Sequence, residues 1–303
     1  MNDFQVRAEP TTSDKAYQEM RWPLRHLTLA GLHWPARNTT TEQPPVIMLH
    51  GWLDNCLSFT ELAPDISAET DVYAIDMSGH GYSGHRPPGQ GYLLADYVAE
   101  LAELLDTAFN QPVDLVGHSL GGIVALMYAA IFPEKVRKLV TIDSLGPMTK
   151  APDDAPAQLR RGIAKRLSGS VGHTVYPSIE EAARARAGGM IPLSAGVARQ
   201  LVGRNLKSVE RGFQWRTDPK LRHPSLMTYT ESQAIAFLQS VKTETLLVRA
   251  EDGLLSKSEK WPRRLAAMTA CTHVVVPGAH HCHLDGNTRP TANSVRGFLT
   301  NDG

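Results

Sequence analysis

One ten-residue stretch constrains the fold of this chain more than any other: Val113-Asp114-Leu115-Val116-Gly117-His118-Ser119-Leu120-Gly121-Gly122. It opens as a short apolar run, the pattern of a strand buried on both faces. It closes as Gly-x-Ser-x-Gly, formed by Gly117, Ser119 and Gly121, and passes straight into the helical run Ile123 to Ala130. Strand, tight turn and helix together are the context of a nucleophile elbow. A serine at so sharp a turn is held in a strained backbone conformation, and its neighbours must be small. Gly-x-Ser-x-Gly alone is common in loops; its placement here marks Ser119 as a nucleophile rather than a structural turn.

The length of 303 residues suits one large α/β domain with an insertion, or two small domains. Acidic and basic residues balance at 31 each, so no basic field invites nucleic acid. No apolar run is long enough to span a bilayer, and Met1 to Arg7 lacks the apolar core of a secretory signal. Cys56, Cys271 and Cys282 show no paired spacing. The expectation is a cytoplasmic protein acting on a small molecule, with no disulfide framework and no integral membrane segment.

Residues 1–20 are polar and read as a poorly committed arm. Leu24 to Leu29 alternates, Ala30-Gly31 turns and Leu32 to Trp34 follows, which predicts a hairpin. Arg37 to Pro45 is a loop. Val46 to Leu49 is a buried strand that runs into His50-Gly51-Trp52-Leu53-Asp54-Asn55. If Ser119 attacks a carbonyl, the oxyanion needs two fixed donors. One is the N–H after the nucleophile, Leu120; the other comes from the loop after this strand, Trp52. His50 reads as a brace for that loop. Val72 to Asp76 is the next strand, and its glycine-rich sequel, Met77 to Pro87, does not match a dinucleotide fingerprint. Asp76 and His80 read as organisers of this loop. Tyr92 to Phe109 has apolar residues at helical spacing. Pro133 stops the elbow helix, and Arg137 to Asp143 is a strand that ends in a carboxylate.

Across 148–228 the strand–helix alternation lapses. Ala157 to Leu167 is a basic helix, Ser178 caps a helix through Ala187, and Ser194 to Lys207 is a third. Phe213 to Pro219 is short and extended. Arg160, Arg161, Arg184, Arg186, Arg199, Arg204 and Arg211 read as solvated helix faces, with a site for an anionic substrate as the alternative. Met190, Phe213, Trp215 and Met227 either line an acyl pocket or pack the insertion. Alternation resumes with a helix Glu231 to Gln239, a strand Thr245 to Arg249, a helix Trp261 to Met268, a strand His273 to Val276 and a closing helix Thr291 to Leu299. The general base belongs on the loop after the last strand, where His280, His281 and His283 compete. A metal reading of His-His-Cys-His is set aside. Adjacent residues diverge, and no second ligand pair stands at metal spacing.

The run His50 to Asn55, the loop Asp76 to Pro87 and the Ser119 elbow resemble the α/β-hydrolase fold family in its lid-bearing branch. His-Gly-Trp-Leu-Asp-Asn with Ser58-Phe59 behind it is similar to the serine-hydrolase-like subgroup, and with Gly-His-Ser-Leu-Gly to small carboxylesterases. The resemblance implies a mostly parallel central sheet flanked by helices. The core would be 1–147 and 229–303, and 148–228 would be an inserted helical lid. It places the catalytic histidine five positions before Asp285, at His280. Relatives most often carry the acid in a Gly-x-x-Asp turn after the penultimate strand. Here that turn is Ala250-Glu251-Asp252-Gly253, with glycine where the acid belongs. Haloalkane dehalogenases instead place the acid after the strand that follows the nucleophile helix, which is Asp143. The expected triad is therefore Ser119, Asp143 and His280, with Asp252 as the alternative acid. The implied activity is carboxylic-ester hydrolysis through an acyl-enzyme, with no metal, nucleotide or flavin. Carbon–carbon bond hydrolysis and cofactor-free haloperoxidation use the same triad. A catalytically silent binding module is the reading from a different class, and Gly253 is its one support.

Overall fold

The computed structural model describes residues 7–8, 16–38, 43–169 and 174–301. Three strands open the chain: β1 (Arg7–Ala8), β2 (Gln18–Pro23) and β3 (Thr28–Trp34). Strand–helix units follow: β4 (Val46–Leu49), a short α1 (Ala63–Ile66), β5 (Val72–Asp76), α2 (Leu94–Ala108), β6 (Val113–His118), α3 (Leu120–Ile131) and β7 (Val136–Ile142). An insertion then carries α4 (Ala155–Leu167), β8 (Val175–Tyr176), α5 (Ile179–Ala187), α6 (Ala195–Asn205), β9 (Leu206–Val209) and β10 (Gly212–Trp215). The core resumes with α7 (Glu231–Ser240), β11 (Glu244–Asp252), α8 (Trp261–Ala266), β12 (Cys271–Ala279) and α9 (Arg289–Thr300).

The main sheet has nine strands in the order β1-β2-β3-β5-β4-β6-β7-β11-β12. The pairings from β5 to β12 are parallel, and those of β1, β2 and β3 are antiparallel. Every residue of β4 and β6 is buried, which is why β4 is a continuous apolar run and β6 is apolar but for Asp114 and His118. Alternate side chains feed two cores. Leu115 joins α2, α3 and α7 on one face, and Val116 joins α1 and α9 on the other. The fold is that of an α/β hydrolase, with a mostly parallel sheet between layers of helices.

Two local expectations are corrected. The predicted hairpin over Leu24 to Trp34 is displaced: the chain turns at Leu24 to Leu27, between β2 and β3, and Gly31 sits mid-strand in β3 between Met20 and Ile75. Its bare Cα is not there for a turn; it lets the Trp22 ring and the Ala74 carbonyl close in. The polar arm is not wholly uncommitted, since residues 18–20 open β2 and Arg7–Ala8 pair with it. Residues 1–6 and 9–15, and residues 39–42 of the Arg37 to Pro45 loop, lie outside the described residues.

The insertion leaves and re-enters the core at one neck. Thr149 bridges Tyr229, and Lys150 N–H donates to the Tyr229 carbonyl at 3.0 Å. The three expected helices are present, but a three-stranded antiparallel sheet, β8-β10-β9, accompanies them. Phe213 and Trp215 alternate along β10, so one face of that ribbon packs on Ala182, Val202 and Leu206. Those two aromatics therefore build the insertion's own core, while Met190 and Met227 stand in solvent. No helix among the described residues is long and apolar enough to cross a membrane.

Candidate active site

The groups singled out for chemistry lie just past the carboxyl ends of neighbouring parallel strands. His50 follows β4, Ser119 follows β6, Asp143 follows β7, and His280 follows β12. Ligands of open parallel sheets bind at this edge.

Ser119 has φ 50° and ψ −114°. Among the described residues only three non-glycines have positive φ, namely Leu53, Ser119 and Asp143, and all three sit here. Such strain persists only where the surroundings over-determine it. Around Ser119 they do. Ser119 N–H donates to the Ile142 carbonyl at 3.1 Å, Gly121 N–H donates to the His50 carbonyl at 3.0 Å, and Ser144 Oγ donates to the Ser119 carbonyl at 2.8 Å. A Cβ on Gly121 would lie 2.0 Å from the Leu49 carbonyl oxygen, so only glycine lets β4 and α3 approach this closely.

Asp143 and His280 meet. His280 Nδ1 lies 2.6 Å from Asp143 Oδ2, and both residues are buried. The same carboxylate accepts from the Leu254 N–H at 2.7 Å, and more weakly from those of Ala250 and Leu255. It therefore occupies the turn that follows Asp252. Asp252 itself is exposed and is not brought to His280. The glycine at 253 is explained by this: a Cβ there would lie 2.3 Å from both Asp143 oxygens. His118, the residue before Ser119, donates from Nε2 to the His280 carbonyl at 2.9 Å, which tethers the histidine loop to the elbow.

The first turn after β4 sets the remaining geometry. His50 accepts the Met77 N–H on Nε2 at 3.0 Å and donates from Nδ1 to the Gly51 carbonyl at 2.7 Å, so it braces the loop. Asp76 accepts the N–H groups of Cys56 and Tyr82, and His80 accepts that of Leu53. Burial pushes the His50 and His80 imidazoles below their ordinary range, His80 to about 3, so both stay neutral. Leu120 is the first residue of α3, and Trp52 lies in the turn next to the elbow. Among the described residues neither backbone N–H has an acceptor. The Trp52 indole donates to the Leu221 carbonyl of the insertion at 3.2 Å.

Sequence reasoning missed three contributors. Asp54 Oδ2 lies 3.0 Å from His281 Nε2, and its Oδ1 accepts from Arg186 Nη2 at 2.8 Å. Arg204 donates from Nε to Asp76 Oδ2 and from Nη1 to Glu19 Oε1, each at 2.7 Å. Two of the seven arginines read as solvated, Arg186 and Arg204, are thus structural ion pairs between the insertion and the core. Burial works to raise the Asp54 and Asp76 carboxyls, but His281 and Arg186 in one case, and Arg204 and His50 in the other, hold them low. Only the motif His-Gly-Trp-Leu-Asp-Asn hinted at Asp54, and nothing in helical spacing marked its partners. His283 Nε2 lies 2.9 Å from Ser58 Oγ and packs the loop. The histidine run also meets groups that are distant in sequence. His281 joins Asp54 and His118, with one ligand atom of each within 4.8 Å of the others.

A family model described as alpha/beta hydrolase fold matches residues 44–180. The chain is 30% identical to a "Probable serine hydrolase" of Drosophila melanogaster, over 84% of this chain and 81% of that protein. It is 29% identical to a serine hydrolase-like protein of Danio rerio, over 95% of this chain and 90% of the other. The crystal structure of a hypothetical protein from Pseudomonas aeruginosa PAO1 superposes with a TM-score of 0.87 at 34% identity, covering 93% of this chain and 99% of that one.

Proposed function

The chain belongs to the α/β-hydrolase fold family as one of its serine hydrolases, and from that membership we propose that it hydrolyses a small carboxylic ester through an acyl-enzyme on Ser119. The observation that carries the reading is the 2.6 Å contact between His280 Nδ1 and Asp143 Oδ2, on a histidine tethered to the residue before Ser119. In this reading Asp143 fixes the tautomer that leaves His280 Nε2 bare, and it stabilises the imidazolium that forms. His280 Nε2 takes the Ser119 Oγ proton as Oγ attacks the ester carbonyl. The N–H groups of Trp52 and Leu120 meet the oxyanion, and loss of one such donor costs ~3 kcal/mol in barrier. His280 returns the proton to the leaving alcohol. Water, activated by the same imidazole, then releases the acid.

Residues 148–228 act as a lid in this proposal. Support comes from the single neck at Thr149 and Tyr229, and from the Trp52 indole bond to Leu221, which ties the insertion to the oxyanion turn. The test is hydrolysis of p-nitrophenyl esters of graded chain length by wild type and Ser119→Ala. Wild type turns over, and Ser119→Ala loses at least about 10⁴-fold in kcat. A wild type inert on every ester, and unlabelled at Ser119 by a fluorophosphonate, would overturn it. Labelling without ester turnover would move the substrate to another acyl class or to a carbon–carbon bond.

A further inference from the structure

Beside the Asp143–His280 pair lies a second set of groups that take no part in the proton transfers of the hydrolytic mechanism. We propose that Asp54, His118 and His281 form a binding site for one divalent transition-metal ion, of the zinc class. The three come from the turn after β4, from the elbow and from the loop after β12. No sequence spacing announces them.

Four observations carry the inference. First, the donor set is two imidazoles and one carboxylate, with ligand atoms converging to within 4.8 Å. His281 Nε2 and Asp54 Oδ2 are already 3.0 Å apart, close to the ~3.3 Å edge of a tetrahedron with bonds of about 2.0–2.1 Å. Second, His118 Nδ1 is wholly buried and has no hydrogen-bond partner. Its Nε2–H donates to the His280 carbonyl, so Nδ1 carries a bare lone pair. An orphaned buried acceptor is costly, and a cation would satisfy it. Third, the outer contacts are those of a ligand shell. A metal-binding histidine characteristically donates its other ring N–H to a carbonyl, as His118 does, and ligating carboxylates are themselves bonded, as Asp54 Oδ1 is to Arg186. Fourth, the space is kept open by a glycine. A Cβ on Gly51 would lie 2.9 Å from His118 Nδ1 and 3.2 Å from Asp54 Oδ2.

Loading balances without loss of atoms. The proton that His281 Nε2 shares with Asp54 moves to His281 Nδ1, which is also buried and unpartnered, and the ion takes its place. The ion then ties together the three segments that carry Trp52, Ser119 and His280.

Binding is read with no substrate present, so its outcome is separate from that of the hydrolase proposal. The full chain is titrated with Co²⁺ and followed by its visible absorption, then loaded with Zn²⁺, dialysed and assayed by elemental analysis. One ion per chain is expected, with intense tetrahedral Co²⁺ bands. At 100-fold excess over Kd, Zn²⁺ should raise Tm by about 5 °C. His281→Gln and His118→Asn should each weaken binding at least about 100-fold, whereas His280→Gln and the distant His273→Gln retain it. Circular dichroism and Tm without ion establish that each variant is folded. If Zn²⁺ leaves substoichiometrically on dialysis, or if folded His281→Gln and His118→Asn bind like wild type, the proposal fails. Loss of binding in His280→Gln would also overturn it, by placing the ion on the triad instead.

Discussion

Two histidine–carboxylate pairs stand side by side in this molecule, one on His280 and one on His281, and they are built differently. Asp143 is supported by the backbone N–H of Ala250 in β11, by those of Leu254 and Leu255 in the turn after it and, among the described residues, by no other side chain than His280. Asp54 is shared between His281 and Arg186, which comes from α5 in the insertion. The first pair leaves its imidazole answerable to one neighbour, as a proton carrier requires. The second is clamped from both sides and joins two parts of the fold. Adjacent residues of one type thus take different duties, because opposite sides of the loop face different partners.

The comparison breaks most sharply at Asp143. Asp143→Asn removes the acceptor that selects the His280 tautomer, and kcat/KM is expected to fall about 10⁴-fold with little change in KM. Steady-state ester kinetics check this; a loss under 10-fold would mean that the two pairs are not functionally distinct. Asp54→Asn should show the opposite balance. It strands the Arg186 guanidinium against His281, so urea denaturation should show a loss of ~3 kcal/mol. The kcat/KM of the protein that remains folded should stay within about 10-fold of wild type.

A smaller effect arises from the imidazoles around these pairs. Burial lowers the pKa of His50, His80, His118 and His283. Neighbouring imidazoles add to this for His80, His118 and His283. Below pH ~6.5 the unfolded chain takes up protons that the folded chain refuses, so it binds more of them and stability falls as pH drops. Each such histidine costs up to about 1.4 kcal/mol per pH unit below 6.5, down to its folded pKa, which is about 3 for His80. Urea midpoints at pH 7.5 and 5.5 measure the sum; equal midpoints would contradict it. The smallest effect belongs to Asp252→Asn. Its exposed side chain makes no contact with His280, so activity should stay within about 2-fold of wild type in the same kinetic assay.

Much of the fold was legible in the chain because its signals are local. Strands buried on both faces are mostly apolar, as β4 is throughout and β6 is apart from the paired Asp114 and the terminal His118, and their helices carry their own periodicity. The hairpin misjudged at Gly31 shows the limit. A glycine that admits a neighbouring strand looks, in sequence, the same as a glycine that turns the chain. The insertion's small sheet was hidden for a related reason, since strands of two to four residues are too short to display a period.

What the sequence determined by itself is the elbow. Ser119, its flanking glycines and the helix behind it are contiguous, and the steric demand that joins them acts over a few residues. It also narrowed the histidine to one loop and the carboxylate to two strand ends. Which carboxylate reaches His280 was decided only by tertiary structure. Asp143 and Asp252 both end strands, and the choice rests on how those strands pair. β7 lies beside β11 with Ile142 against Val248, which carries the Asp143 side chain into the turn that Gly253 keeps open. The cluster of Asp54, His118 and His281 was likewise beyond reading in the chain. Its members meet because three strand ends converge at one edge of the sheet, and convergence across such separations leaves no trace in local spacing.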